Sequence, residues 1–511
     1  MYKYFLIIII SFLQLNCASP KREKEKGPEI VSSYPELANK FNWAKDKARS
    51  FVQTGKEGPV NVSEASNSNT HSEDLAYIPS YWAGYPLRTA FYSRDFCHQL
   101  SGAHLLGLET ENFTMLKAFA TSADVDKKWF PLWAINFDGS PYSLDYRGND
   151  NFVREIPAVF ELVEKAYQLF CWTGDKRYIF DEDLWKYYTK AVTDFIDLHD
   201  TKMPNGVAEG SSGGIFQGVA TYNEQHGSPL IEAGDEIACQ YKAFWAYAKM
   251  AGLRGEKELS AQFSQKASDL KLLFNNEWGV KNTDLYNRGY SFNQEPIDGW
   301  GKENSWFMPM KGITDMASDR TQKYLDFIDE RLESKDGIPA NIEAISYIPE
   351  LFFQYHQNKR GWKWMKYIMS HINQEHAASA LTGKNGNYPE VSFVLLSNVV
   401  EGLLGVVPDA ANNGVATISN LTGEVQNLCV ENIKIGNSTI NVEHGLNHSS
   451  RVYYREGKGK LHWKAGFIGH YTHLFVDGVK KACLQGVDFG QEYSYLVVEL
   501  SPETEVTITT K

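Results

Sequence analysis

From Glu36 to Leu404 the sequence keeps repeating one pattern: an apolar stripe at three- and four-residue spacing, then a turn. That spacing is the period of one helix face, so each repeat reads as an amphipathic helix with a side to bury. Glu36–Thr54 sets Leu37, Phe41, Ala44, Ala48 and Phe51 on such a stripe, and Phe152–Thr173 runs into Gly174-Asp175, a helix stop. Arg94–Leu108, Glu111–Ser122, Asp183–His199, Asp235–Met250 and Leu259–Phe274 follow the same rule. So do Asn304–Met316, Thr321–Leu332, Tyr347–Gln357, Gly361–Ile372 and Glu390–Leu404. An open solenoid would show repeats of fixed length with short connections. Here the spacings vary and long loops separate the helix pairs, which fits a closed ring of helical hairpins. Each hairpin buries one face on its neighbours, and closure removes the exposed ends.

The connections are as informative as the helices. Gly55–Asp74, rich in Ser, Asn and Glu, reads as a loop or a loosely ordered insertion. Asp124–Asn151, Met203–Glu232 and Trp278–Lys302 are long, and dense in Gly and aromatic residues. Loops of that length in compact domains are functional or disordered, and their ring content speaks for function. Past Pro408 the period changes to two. Gln426–Glu443 alternates around Gly436-Asn437, a hairpin signal, and Arg451–Tyr454, Leu461–Lys464, Thr472–Val476, Tyr493–Leu500 and Glu505–Thr509 continue the alternation. The expected fold class is mainly α with a C-terminal β domain: a helical toroid at 35–409, braced by a small antiparallel β-sandwich at 413–511.

Met1–Cys17 carries Lys3, the apolar run Phe5–Leu13 and then Cys17. The run is too short to span a bilayer and has the length of a signal h-region. Its form is similar to a bacterial lipoprotein signal, in which the cysteine becomes the lipidated first residue; Asn16 departs from the small residue usual before that cysteine. This implies a signal at 1–17, a charged tether at 18–34, and an exported chain anchored at Cys17 on the periplasmic or cell-surface face of a membrane. An ordinary cleaved signal peptide is the alternative, and it too exports the protein. A net charge of −12, with no basic run in the folded region, speaks against a nucleic-acid partner. The other five cysteines, Cys97, Cys171, Cys239, Cys429 and Cys483, show no CxxC spacing and read as thiols. His371 and His376, five apart, do not share a helix face, so neither a metal nor another cofactor is expected.

Chemistry concentrates where loops meet helices. Tyr81–Leu108 opens with Tyr81, Trp82, Gly84 and Pro86, then places Arg94, Asp95 and His98 at the start of a helix. Aromatic faces offer a sugar stacking surface, and an Arg-Asp pair offers directed donors and acceptors. The first aromatic loop contributes Tyr146, Arg147 and Asp150; the second contributes Tyr222, Glu224 and His226; the third contributes Arg288, Trp300, Glu303 and Trp306. Each of these alone reads more readily as loop scaffolding. Glycoside cleavage also needs a protonated and an ionised carboxyl flanking the bond. Glu232, Asp235 and Glu236 crowd the end of the second loop, where mutual repulsion could keep one protonated, although acidic residues also serve as plain decoration of a helix start. Glu390 follows Pro389 at another helix start with the same ambiguity, and Glu401 reads as interior to the bundle.

A dozen helices in hairpins before a β-sandwich resembles the six-hairpin, (α/α)6-barrel group: glucoamylases, α-L-rhamnosidases, glycogen-debranching enzymes, unsaturated glucuronyl hydrolases and several polysaccharide lyases. Tyr92-Ser93-Arg94-Asp95 looks like the aromatic-x-Arg-Asp motif of the glucoamylase-like branch, where Arg and Asp hold hydroxyls of the first sugar. Phe152–Ile179, ending CWTGDKRYI, is similar to a hairpin end common in the group, and Asp235–Gly252 to the helix after the acid-bearing loop. The resemblance spans Tyr81–Asp409 as architecture and only short segments as motifs. It implies a glycoside hydrolase acting at the non-reducing end of oligosaccharides from a complex polysaccharide, with inversion. Arg94 and Asp95 would hold the sugar, Glu232 or Asp235 would serve as acid, and Glu390 as base. Trp82, Tyr146, Arg147, Asp150, Tyr222, Trp300 and Trp306 complete the expected substrate-binding set. Two other readings stay open. Uronate-directed lyases and dehydratases use related toroids and would draw on His98, His226, Tyr146, Tyr222, Arg94 and Arg147. A non-catalytic glycan-binding lipoprotein would need no clustered carboxyls.

Overall fold

The computed structural model describes residues 27–61, 74–222, 229–280, 284–446 and 448–511. Six helices form an inner ring: Ser93–Leu105, Ile156–Thr173, Gly234–Leu253, Glu303–Lys311, the broken Ile342–Ser346 and Ile348–Gln354, and Pro389–Ser397, which continues as wider turns to Leu403. Each packs on the next, and the sixth packs on the first. Six outer helices alternate with them in sequence: Pro35–Ser50, Glu109–Ser122, Glu182–Val192 with Asp194–His199, Lys257–Leu273, Asp319–Glu333 and Asn358–His371. This is an (α/α)6 barrel.

The two rings differ in sequence because they differ in surroundings. The outer Asp319–Glu333 helix buries Tyr324, Leu325, Ile328 and Leu332 and leaves its charged face to water. The inner Gly234–Leu253 helix is covered on most sides and buries Ile237, Ala238, Cys239, Ala243, Phe244, Ala246 and Met250. Where inner helices touch most closely, glycine makes the contact. A Cβ on Gly102 would lie 2.1 Å from the Phe393 carbonyl oxygen, so that glycine permits the sixth helix to close on the first.

Every connection entering an inner helix is longer than the turn that leaves it. The chain leaves through turns such as Leu106–Leu108 and Arg254–Glu256, and enters through segments such as 123–155, 200–233 and 372–388. The barrel therefore has an open end, where inner helices begin, and a closed end, where they finish. The helix expected from Phe152 begins only at Ile156: Pro157 suits a first turn, and the preceding residues are extended, with Glu155 bridging Val219. The helix expected to reach Met316 stops at Lys311, where Gly312 takes a left-handed φ of 75°.

The β region begins at Val406 and forms two sheets. One holds, in spatial order, Glu29–Ser32, Asn427–Ile435, Ser438–Gly445, Ser449–Glu456, Thr504–Thr509, His473–Val476 and Val479–Ala482. The other holds Leu484–Asp488, Gln491–Leu500, Leu461–Ile468, Gly414–Ile418 and Val406–Asp409. Pairing is antiparallel except between Gly414–Ile418 and Leu461–Ile468, a departure from the all-antiparallel expectation. The Gly436-Asn437 turn joins Ile435 to Ser438 as the alternation predicts. The tether expected over 18–34 does not extend that far, because Glu29–Ser32 is an edge strand on Asn427–Ile435. This domain covers the closed end of the barrel. There Gly436 N donates to Trp172 O at 2.8 Å, His104 Nε2 to Lys434 O at 2.9 Å and His444 Nε2 to Leu404 O at 3.0 Å. His356 bridges Asn420 and Asp488.

Candidate active site

At the open end all six inner helices bring a carboxyl to their first turn or N-cap: Asp95, Glu155, Asp235 with Glu236, Glu303, Glu343 and Glu390. Free amide groups at a helix N-terminus favour a negative charge, so one such residue alone means little. Here the side chains of Asp95, Asp235, Glu236, Glu303, Glu343 and Glu390 are all buried, and charges without full partnering are costly in that setting.

One wall joins the first, fifth and sixth inner helices. Tyr388 OH donates a short hydrogen bond to Asp95 Oδ1, and His376 Nε2 lies 2.8 Å from Glu343 Oε2. Ser346 Oγ reaches Glu390 Oε1 only at 3.5 Å. The Tyr388 and His376 rings lie parallel with centroids 5.4 Å apart, and Tyr85 stands edge-on to both. Burial raises the Asp95 carboxyl, offset partly by the Arg94 charge and the Tyr388 hydroxyl. Burial raises Glu390 well above the usual range, and the charges of Asp95 and Glu343 push it further.

Across the mouth, Asp235 points away from its own helix. Its Oδ2 accepts from Thr221 Oγ1 at 2.8 Å and from Tyr222 N at 2.7 Å, so the second loop holds it. Burial pushes this carboxyl up to about 7, with the Glu303 charge adding to the rise. Glu236 takes the capping role instead, accepting from Ala233 N at 3.2 Å. Arg94 joins the walls: its guanidinium donates to Tyr222 O at 2.9 Å, lies 3.5 Å from Glu155 Oε1 and sits over the Tyr222 ring. Glu155 in turn accepts from Trp133 Nε1 at 2.7 Å. Tyr347 closes the floor, stacked on His98 at 4.2 Å.

Other candidates from the sequence lie elsewhere. Glu232 is turned to Asn205 Nδ2 and Trp278 Nε1, which donate to it; burial lifts it to about 7, and its charge adds to the rise of Glu236. His98 lies beneath the mouth, 3.8 Å from Glu161 Oε2, and burial pulls it down to about 3, so it stays neutral and a weak base. Tyr222 and Trp306 are buried and cannot stack on a ligand as expected; Tyr222 OH instead donates to Glu161 Oε2 at 2.7 Å. Trp82 is half-buried with its Nε1 on Arg88 O, and Trp300 with its Nε1 on Gly337 O. Tyr146 donates to Asn149 Oδ1, Arg147 lies over the Phe216 ring at 4.2 Å, and Asp150 is exposed on the same rim. Glu401 sits deep in the barrel, accepting from Ser101, Gln168 and Trp172. His226, Glu224 and Cys17 fall outside the described residues. A rim cavity of about 380 Å³ between the first two aromatic loops is lined by residues including Lys128, Arg154, His199 and Glu209, and of the candidates only by Asp150.

Sequence reasoning missed Glu343, His376, Tyr347, Tyr388 and Trp133, and the buried Glu161–Lys311–Glu164 ion network, in which Lys311 Nζ lies 2.6 Å from Glu161 and 2.5 Å from Glu164. An acidic residue at every inner helix start was the available signal for Glu343.

No protein-family model matches the sequence, and neither does any curated protein. Solved structures share the fold. An α-L-rhamnosidase from Dictyoglumus thermophilum superposes with a TM-score of 0.61 at 14% identity, over 95% of this chain and 51% of that one. A GH78 family rhamnosidase of Bacillus sp. GL1 gives 0.59 at 10% identity, over 84% of this chain and 40% of that one. The Streptomyces avermitilis α-L-rhamnosidase complexed with L-rhamnose gives 0.57 at 11%, over 95% and 42%. The chain spans about half the length of these proteins or less, and at such identities the likeness is one of fold.

Proposed function

We propose that the open end is the active site of a glycoside hydrolase acting on the non-reducing end of oligosaccharides. The observation that carries this reading is the set of buried carboxyls on opposite walls of one mouth, with Arg94 between them. Asp235, shifted toward neutrality by burial, holds a proton that it gives to the leaving glycosidic oxygen. The Asp95–Glu343–Glu390 wall supplies the carboxylate that takes a proton from the attacking water. Arg94 and Asp95 bind hydroxyls of the terminal sugar, and the half-buried Trp133 and Trp300 offer ring faces. Attack by water on the face opposite the leaving group inverts the anomeric centre, which fits carboxyls about 6.5–9.5 Å apart. The rhamnosidase neighbours make a deoxyhexose the first sugar to try.

A uronate-directed elimination is less well supported. Of its candidate bases among the described residues, His98 is buried under Tyr347, Tyr222 is buried with its hydroxyl on Glu161, and Tyr146 donates to Asn149 on the rim. Export with lipidation at Cys17 is part of the proposal; metabolic labelling with a fatty acid, lost in Cys17→Ser, tests it.

The test of activity is incubation with 4-nitrophenyl α-L-rhamnopyranoside, α-D-glucopyranoside and β-D-glucuronide, together with uronate-containing oligosaccharides. Released nitrophenol or new reducing ends without unsaturated-uronate absorbance support hydrolysis. Rising absorbance at the unsaturated-uronate band sinks it in favour of elimination, and glycan binding without turnover sinks it in favour of a binding protein.

A further inference from the structure

The wall made by Asp95, Glu343 and Glu390 contains one carboxyl that faces a fixed hydrogen-bond donor, and a donor favours the ionised form. His376, on the loop entering the sixth inner helix, receives the Ala378 backbone N–H on Nδ1 at 2.8 Å. An amide N–H can only donate, so Nδ1 is an acceptor and the ring proton sits on Nε2. That Nε2–H points at Glu343 Oε2, 2.8 Å away, and Oε2 must therefore accept. The ring cannot turn to reverse this arrangement. It is buried, parallel to Tyr388 on one side and edge-on to Tyr85 on another, and its own backbone N–H is tied to Gly383 O. Glu390 has no comparable donor: among the described residues it receives only the long Ser346 contact.

We propose that Glu343 is the catalytic base of this site and His376 its positioning residue, while Glu390 carries the proton of the three-carboxyl wall and donates to the sugar. The inference rests on the hydrolase reading and assigns the base role within it. In the step, a lone pair of water forms the new bond to the anomeric carbon as Glu343 removes the water proton. The glycosidic C–O bond breaks with its electron pair on the leaving oxygen, which takes the proton from Asp235. The net change is addition of one water across the bond. An ionised carboxylate beside a protonated one is also the arrangement that like charges reach at lowest cost.

Two measurements test it. Difference infrared spectroscopy at neutral pH needs no substrate: Glu343→Gln should remove an ionised-carboxylate band and Glu390→Gln a protonated carboxyl band, and the reverse assignment overturns the proposal whether or not any glycoside is cleaved. Kinetics use whichever 4-nitrophenyl glycoside the wild type hydrolyses. Glu343→Ala should lose about 10²–10⁴ in kcat, with azide restoring turnover as a glycosyl azide of inverted configuration. Glu390→Gln, which mimics the protonated form, should cost at most about tenfold. His376→Leu should lower kcat with little change in KM, and His376→Gln, which still offers an N–H, should recover part of the loss. Azide rescue of Glu390→Ala instead of Glu343→Ala would overturn the assignment and leave the hydrolase reading standing; an inactive wild type would remove the hydrolase reading, with the infrared result still deciding which carboxyl is charged.

Discussion

At the open end of the barrel, where inner helices begin, each brings a carboxyl that burial holds against its preference for water; at the closed end, where they finish, the β-sandwich is seamed to them by histidines and backbone hydrogen bonds. Both ends bury titratable groups, but with opposite consequences. Asp235 moves from 3.8 to about 7, so the folded chain keeps a proton that the unfolded chain gives up. Its contribution to stability is complete below about pH 4 and disappears as the pH rises through 7. His444 moves from 6.5 to about 4, so the folded chain refuses a proton that the unfolded chain accepts. That contribution is complete above about pH 6.5 and disappears as the pH falls toward 4. At the seam both nitrogens of His444 are engaged, by Leu404 O and Ser450 Oγ, while His104 has only Nε2 hydrogen-bonded. At the mouth the unmatched atoms belong to carboxyls. Asp235 Oδ1 and Glu236 Oε1 are buried without a hydrogen-bond partner among the described residues. The seam therefore gains stability from its histidine at higher pH, and the mouth from its carboxyl at lower pH.

The largest effect expected from this contrast is on turnover. Asp235→Asn should lower kcat on the cleaved aryl glycoside by about 10²–10⁴ while leaving the circular dichroism spectrum unchanged; an active variant would remove Asp235 from the chemistry. Next comes the seam. His444→Ala leaves the Leu404 carbonyl and Ser450 unpartnered and opens a cavity, so urea unfolding at pH 7 should show a loss of about 2–3 kcal/mol, with kcat retained. Loss of activity without loss of stability would mean that the two ends are not separable. Smaller, and opposite in sign, is the stability effect at the mouth. Asp235→Asn should raise Tm at pH 8 by a few degrees and by less at pH 5, because the charge it removes is costly only above the shifted pKa; scanning calorimetry at the two pH values reads this directly. The smallest is on the rim, where Arg147→Ala removes a surface cation stacked on Phe216 and should raise KM by a few-fold with kcat preserved.

Much of the ring was legible because helix periodicity is local: the hairpins, their alternation and the site-bearing end all follow from stripes and loop lengths. Arg94 and Asp95 were legible for a similar reason, as neighbours at one helix start. What escaped was pairing at long range. Tyr388 meets Asp95 across 293 positions, and no pattern near either residue announces it. His376 looked like one of a loose pair with His371, yet its partner is Glu343, 33 positions earlier. The direction of Glu232 was hidden by a different cause. It lies on the short strand Leu230–Ala233, buried along its whole length, so alternation could not tell an inward side chain from an outward one. Its carboxyl turns to Trp278 and Asn205. Trp306 failed because a fourth inner helix covered on all sides has no free ring face, whatever its residue types suggest.

The edge strand Glu29–Ser32 also has a consequence for how the molecule is held together. It is stitched to the domain at the closed end, and the first outer helix starts from there at Pro35. Ahead of Glu29 the chain runs back along that helix: Pro28 O accepts from Lys45 Nζ at 2.8 Å, and Gly27 lies beside Arg49, near the helix end that leads toward the mouth. The segment thus ties one outer helix to the sheet along much of its length, while the sixth inner helix holds that helix from the other side.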